Sequence, residues 1–481
     1  MKSLKTLAIV ILVLVINSCS NIKKDQKNFL NKKNEINTYL QMQLEFQEIP
    51  SLALAVIKKG EVIYEGYFGN TDLKNSIPVS KKTIYPLYSV TKLIVTTGVF
   101  QLIEQKKISL EENISKYIKN LPENWKSIKI KHLLTHSSGL PDFSFANSVL
   151  SDDEMWEVLI KKDTHFEIGL KFEYNQTNYW ILAKIIEKIT GSSFEEYILN
   201  NQFKGIKSGL AFSSDFVVDI PNRVKRYDYD NKQNKYINLT LKGGKRFLPA
   251  NGLNSTLSNL IQWNKLLDNN KLLDNNTKQK MWQPFKYSDS ISKFQHGWHK
   301  YSLNNIISYG FSGGAHTSFR KIIQKDITII LLTNGFKYYP NNNEIISHIA
   351  GLVDSDFKNE KEELFNNITY NFLKNDFNQA LSAYDQLKKN NLGKATPSDF
   401  EKKLNRIGYI LIDHQQINKA IKVFKLNVKE HPESANCYNS LGEVYFKNKQ
   451  LKLALLNFKK AVKLNPNDSY SKRMIIKLDN Q

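Results

Sequence analysis

At 481 residues the chain exceeds the roughly 250 to 300 at which one hydrophobic core stops growing, so at least two domains are expected. With 41% hydrophobic residues it can bury a substantial core, and its two cysteines, Cys19 and Cys437, stand in such different settings that a disulfide framework is argued against. The net charge of +22 is carried by lysines dispersed among Asn and Ile residues rather than clustered with stacking aromatics, which argues against a nucleic-acid groove.

Residues 1–18 place Lys2 and Lys5 ahead of an apolar run from Leu7 to Ile16 and close on Asn17 and Ser18, the layout of an export signal peptide. The run is about ten residues, half of the roughly twenty that a membrane-spanning helix needs, so no transmembrane anchor is read there. Ile16-Asn17-Ser18-Cys19 resembles the bacterial lipobox, which implies a lipoprotein acylated at Cys19. Residues 19–33, rich in Lys and Asn, then form a tether to the bacterial cell envelope, on its periplasmic side or at the outer membrane.

Beyond the tether, residues 34–48 read as a helix. Leu52–Ile57 and Val62–Tyr67 read as the arms of a β-hairpin turning at Lys58-Lys59-Gly60. A long helix opens near Tyr88, and helices and loops follow to about residue 270, among them Thr177–Thr190, which stops at Gly191. Strands return at Thr317–Ile323 and Ile327–Thr333 around Gln324-Lys325-Asp326, ahead of a helix over 342–353. Strands at both ends with helices between them predict an α+β domain over residues 34–355, its antiparallel sheet closed by its own termini.

The C-terminal part repeats itself. Gly408 and Gly442, Ala420 and Ala454, Phe424 and Phe458, and Pro432 and Pro466 each stand 34 residues apart. Small residues let two helices cross closely, the aromatic fills the groove between them and proline ends the second helix, which is the mechanics of a tetratricopeptide unit. Residues 400–481 are therefore expected to be all-α tetratricopeptide repeats, capped by a helix over Ser471–Leu478. Residues 356–399 are a connector holding a degenerate helix pair within Phe372–Leu387, with Ala380 and Tyr384. Such arrays dock peptides or proteins, so a protein partner is expected.

Chemistry concentrates at Tyr88-Ser89-Val90-Thr91-Lys92, where spacing i to i+3 puts Ser89 and Lys92 on one helix face. At a helix N-terminus the dipole stabilises an anion and disfavours a protonated lysine, and a neutral lysine can take the hydroxyl proton. With this pair, His132-Leu-Leu-Thr-His136-Ser-Ser-Gly-Leu-Pro141 and Phe172-Glu173-Tyr174, leading into Tyr179-Trp180 and Gly191, resemble the serine β-lactamase and penicillin-binding-protein-like family, its class C and esterase-like branch in particular.

That resemblance covers about residues 34–355. It implies an antiparallel sheet with a helical domain and a nucleophile in the cleft between them. It also implies a hydrolase in which Ser89 is acylated, Lys92 activates it and Tyr174 shuttles protons, with Lys92 stabilising the phenolate. The third segment, Gly310-Phe311-Ser312-Gly313-Gly314, implies oxyanion amides at Gly314 and Ser89, and substrate contacts at Ser312 and Gly313. His316, two residues further on, is a further candidate.

Two departures stand out. Gln176 occupies the place of an asparagine with one more methylene, and Phe311 stands where the family has a lysine or histidine, which puts recognition of carboxylated β-lactams in doubt. An esterase or D-amino-acid peptidase is therefore as consistent as a β-lactamase. The rival reading is a catalytically silent β-lactamase-like binding protein whose repeats dock a partner. His132 and His136 lack the glutamate of a zinc helix, so no metal is expected, and without a phosphate-binding glycine loop no cofactor is expected either.

Overall fold

Apolar residues run without interruption through Leu52–Ile57, and alternate ones face different cores. Leu52, Leu54 and Val56 enter one cluster while Ala53, Ala55 and Ile57 enter another, as a strand covered on both faces requires. The computed structural model describes residues 31–480 except 47, 144–149, 207, 231–232, 234, 241, 290–293, 304, 315 and 338–341. Cys19 and the export signal fall outside the described residues, among which no helix is long and apolar enough to cross a membrane. The chain divides into two compact units, one ending at Phe357 and the other beginning at Lys358.

In the first unit, α1 (31–46) leads into β1 (Ser51–Lys58) and β2 (Glu61–Asp72), with β3 (Ile77–Pro78) on the outer edge. Lys59 and Gly60 at the hairpin both have positive φ, the requirement of a type I′ turn. β4 (Ile84–Pro86) then delivers the chain to a 3₁₀ turn, Tyr88–Val90, and to α2 (Thr91–Glu104). The helical part is α3 (Ile130–Leu134), α4 (Asp152–Leu159), α5 (Thr177–Thr190) and α6 (Phe194–Gln202). It is followed by β5 (Leu210–Phe212), the hairpin β6 (Tyr227–Asp230) and β7 (Lys235–Asn238), α7 (Leu248–Asn251), β8 (Leu253–Thr256), α8 (Leu257–Asp268) and α9 (Asn275–Met281).

The chain returns to the sheet through β9 (Phe294–Gln295), β10 (Trp298–Leu303), β11 (Ile306–Gly313), β12 (Thr317–Ile322) and β13 (Ile327–Thr333), and closes on α10 (Asn342–Val353). The sheet order is β3-β2-β1-β13-β12-β11-β10-β9, with antiparallel neighbours throughout. Its first and last long strands pair from Leu52↔Thr333 to Lys58↔Ile327, so the expected α+β sheet is indeed closed by its termini. One face packs on α1 and α10, where Leu54, Leu331 and Ile346 are fully buried. The other packs on the helical part through Ala55, Phe319 and Leu332. Truncating a residue such as Leu54 to Ala there is expected to cost about 2–5 kcal/mol.

The structure lengthens the predicted hairpin and ends the strand after Thr317 at Ile322, because Ile323 opens a 3₁₀ turn that closes at Asp326 with φ 49°. It also adds β10 and β11 where no strands were expected. Their alternation, Trp298-His-Lys-Tyr-Ser-Leu303 before Asn304-Asn305 and Ile306-Ile-Ser-Tyr-Gly-Phe311 after, is broken by polar residues on a half-exposed face.

The second unit is helical: α11 (Glu360–Lys374), α12 (Phe377–Asn390), α13 (Pro397–Asp413), α14 (Ile417–Glu430), α15 (Ala435–Lys447), α16 (Leu451–Leu464) and α17 (Ser469–Asp479). The 34-residue period has a direct physical basis. A Cβ at Gly408 would stand 2.4 Å from the Phe424 ring, and one at Gly442 would stand 2.9 Å from the Phe458 ring. Each glycine is the dent into which the aromatic of its own repeat fits, with Ala420 and Ala454 fully buried at the same crossings. The span set aside as a connector contributes a full helix pair to this unit, α11 and α12, separated at Asn375-Asp376, where Asp376 caps α12 through the amides of Asn378 and Gln379.

Candidate active site

The approach to Ser89 is fixed from outside its own helix. β4 pairs with β8, and Leu87 N–H donates to Leu253 O at 2.8 Å. Tyr88 follows at φ 47°, a left-handed conformation that costs a bulky residue of order 1–3 kcal/mol. Its ring lies against Gly314, where a Cβ would approach to 3.1 Å. Ser89 sits in the 3₁₀ turn rather than in α2. Because side chains three apart eclipse in a 3₁₀ turn, Lys92 in the first turn of α2 still stacks on Ser89.

Lys92 is fully buried, and its Nζ lies 3.4 Å from Ser89 Oγ, 2.9 Å from Gln176 Oε1 and 3.0 Å from Ala250 O. Burial holds its pKa well below the ordinary lysine value, with Asp142 pulling weakly the other way. A neutral amine has two hydrogens and one lone pair. With the hydrogens given to Gln176 Oε1 and Ala250 O, the lone pair is left for the Ser89 hydroxyl. Gln176 thus reaches Lys92 despite its extra methylene.

Tyr174 donates its hydroxyl to Ser89 Oγ at 2.8 Å. The residue leaves 38% of its surface exposed while its hydroxyl stays in the site. Burial pushes the phenol above its ordinary value, against hydrogen bonding with Ser89 and Gln176 that pulls it down. This favours a protonated phenol over the phenolate expected from the sequence, although Lys92 Nζ stands 4.8 Å over the Tyr174 ring.

The segment around Tyr174 is held by the His132–Pro141 stretch. His136 O accepts from Glu173 N at 2.9 Å, His136 Nδ1 accepts from Asn175 N at 3.1 Å, and Thr177 Oγ1 donates to Pro141 O at 2.9 Å. Asp142, the next residue, caps α5 by accepting from Gln176 N at 2.8 Å and Thr177 N at 3.2 Å. His132 Nδ1 likewise accepts from Lys129 N at 3.1 Å, so both histidines spend a ring nitrogen on backbone.

The third segment is the end of β11, which passes directly over the nucleophile. A Cβ at Gly313 would stand 2.4 Å from Leu87 O and 2.8 Å from Ser89 N, so only glycine lets the strand approach this closely. Thr317 Oγ1 locks the contact by donating to Leu87 O at 2.8 Å. Gly314 follows at φ 53° beside Tyr88. Phe311 is buried, 6.0 Å from the Tyr174 ring and 5.8 Å from Lys92 Nζ, so it lines the site without a proton or charge to offer.

The structure therefore brings together Ser89, Lys92, Tyr174, Gln176 and the backbone at Gly313 and Gly314. Among the described residues, neither Ser312 nor His316 makes a side-chain hydrogen bond to Ser89. Ser312 Oγ is engaged by Arg320 Nη2 at 2.7 Å and Ser318 Oγ at 2.8 Å. His316 is buried between Tyr88 and Phe336, with its pKa pushed down to about 3 by burial and by Arg226. Sequence reasoning missed Asn251, whose Oδ1 lies 3.1 Å from Ser89 Oγ and accepts its hydrogen when that hydrogen is turned away from Lys92. Pro249 and Gly252 around it mark a short helix, but nothing in them marks its destination.

The family model described as Beta-lactamase matches residues 36–352, and that described as Tetratricopeptide repeat matches residues 435–468. Among curated proteins, the chain is 27% identical over 183 residues to Protein flp of Staphylococcus aureus, covering 36% of this chain and 37% of that protein. It is 30% identical over 149 residues to the putative penicillin-binding protein PbpX of Bacillus subtilis, covering 31% of this chain and 38% of that protein. The match thus spans little more than a third of those relatives' length. Among solved structures, its fold resembles the octameric penicillin-binding protein homologue from Pyrococcus abyssi, with TM-score 0.57, 22% identity, and 66% of this chain and 77% of that chain covered. It also resembles the D-amino acid amidase of Ochrobactrum anthropi SV3 complexed with D-phenylalanine, with TM-score 0.57, 19% identity, and 66% of this chain and 99% of that chain covered.

Proposed function

This chain belongs to the β-lactamase family, joined to a C-terminal tetratricopeptide repeat, and from that premise we propose that it is an active serine hydrolase acylated on Ser89. The observation that carries the reading is the convergence of Lys92 Nζ and Tyr174 hydroxyl on Ser89 Oγ, with Lys92 buried and its pKa held well below the ordinary lysine value. Lys92 takes the Ser89 proton as Oγ attacks the carbonyl of an amide or ester. The oxyanion forms against the amides of Ser89 and Gly314, each worth on the order of 3 kcal/mol. Tyr174 gives its proton to the departing nitrogen or oxygen and recovers one from Lys92. Water then enters, yields a proton to Lys92, and releases the acyl group as Ser89 regains its hydrogen.

Phe311 directs the substrate reading away from carboxylated β-lactams and towards an ester or a D-amino-acid peptide, since it offers no cation beside Ser89. The same residue favours the silent binding protein as the second reading. The lipobox at Cys19 supports tethering to the bacterial envelope, and the repeats support a protein or peptide partner.

Intact mass of the full chain after exposure to a fluorophosphonate, a penicillin and an activated ester tests this directly. An adduct present in the wild type and missing from Ser89→Ala is expected. Folded wild-type protein that takes no adduct from any probe would leave the binding protein as the reading.

A further inference from the structure

Beside the nucleophile turn lies a groove of about 190 Å³ that the mechanism above does not use. Its lining is mixed: Phe216, Val217 and Val218 supply apolar surface, the two valines being about half exposed, beside the cations Arg223, Lys225 and Arg226 and the polar Asp219 and Asn238. The Arg226 guanidinium stands 5.4 Å from the centre of the Phe216 ring and 5.2 Å from that of Tyr88, the residue preceding Ser89.

Among the described residues Arg226 makes no hydrogen bond or ion pair through its side chain, and its Nε is buried without a partner. Arg223 donates to Asp215 O and Val218 O, both backbone carbonyls. Asp219 lines the groove and Asp215 and Asp228 lie nearby, but among the described residues none is ion-paired to either arginine. A guanidinium fork left unpaired beside the apolar side chains of Phe216, Val217 and Val218 matches the carboxylate of a short aliphatic chain, which it can hold with two parallel hydrogen bonds.

We propose that this groove binds a small aliphatic carboxylate, with Arg226 as the main contact and Phe216 as the platform beneath it. Resting on the hydrolase reading, this places an anion-recognising group next to Tyr88, whereas the family's usual position for one holds Phe311. The carboxylate is either carried on the substrate's acyl chain or free, and the two sources leave different traces.

Glutarate binding to the full chain is measured by titration calorimetry for the wild type, Arg226→Met and Arg223→Met. Alongside it, kcat/KM is compared for the p-nitrophenyl monoester of glutaric acid and p-nitrophenyl pentanoate, which differ in the terminal carboxylate. Binding is expected in the wild type and weakened at least tenfold in Arg226→Met, with Arg223→Met reporting the same loss should Arg226→Met fail to fold. A ratio of charged to neutral ester turnover that falls about tenfold to a hundredfold in Arg226→Met assigns the carboxylate to the substrate. A ratio that holds while glutarate binding is lost assigns it to a free ligand. Glutarate that binds without any ester turnover keeps the groove and removes the hydrolase reading. Glutarate that fails to bind the wild type, or binds all three proteins alike, overturns the proposal.

Discussion

The two units of the molecule store their specificity differently. In the repeat unit the decisive contacts are local and recur, as Gly408 with Phe424 and then Gly442 with Phe458 show. In the first unit Ser89 depends on residues far along the chain, with Tyr174, Asn251 and the strand at Gly313 converging from separate segments. A periodic contact can be read from spacing, while a convergent one exists only once the fold has closed.

The sharpest way to break this contrast is at the convergent site, where one atom decides the outcome. Ser89→Ala is expected to abolish ester turnover, leaving background hydrolysis in a stopped-flow or spectrophotometric assay. Lys92→Met and Tyr174→Phe are expected to lower kcat/KM by roughly 10² to 10⁴ if each carries a proton. Wild-type kcat/KM is expected to fall as pH drops through the depressed pKa of Lys92, because the protonated amine cannot accept the serine proton. Tyr174, pushed above its ordinary value, should stay a proton donor across neutral and mildly alkaline pH. A profile that instead rose towards acid would remove Lys92 as the base.

Smaller effects sharpen the comparison. Gln176→Ala removes one acceptor from Lys92 and is expected to cost about tenfold in kcat/KM, consistent with loss of one hydrogen bond to an otherwise buried polar group. In the other unit, Gly408→Ala is expected to destabilise the repeats by about 1–3 kcal/mol through overpacking against Phe424, read as a lower melting temperature. Ester turnover lost together with that transition would show that the two units do not fold independently.

How much was legible follows the same divide. The repeat glycines, alanines and aromatics, the hairpin at Lys59-Gly60 and the stop at Gly191 announce themselves because backbone sterics and helix crossing constrain single positions. Ser89 and Lys92 were visible as a spacing, and Tyr174 by resemblance. Asn251 and the cap at Asp142 were not visible, since a short helix and a loop carboxylate carry no sign of the distant side chain or helix they serve. β10 and β11 were missed for a related reason: their polar half faces outward and blurs the alternation that marks a strand.

The pairing of β1 with β13 has a consequence for how the protein comes into being. A chain made from its N-terminus presents the β1–β2 hairpin early, but its partner strand is among the last parts of that unit to be synthesised. Closing a loop more than a hundred times longer than the two-residue hairpin turn costs roughly 4 kcal/mol more in chain entropy, so the sheet has reason to assemble late. Until then both apolar faces of β1 are uncovered and Ser89 lacks its partners, so an unfinished chain is at once catalytically silent and prone to aggregate. Any factor that holds nascent chains would find in Leu52–Ile57 an extended apolar segment to grip.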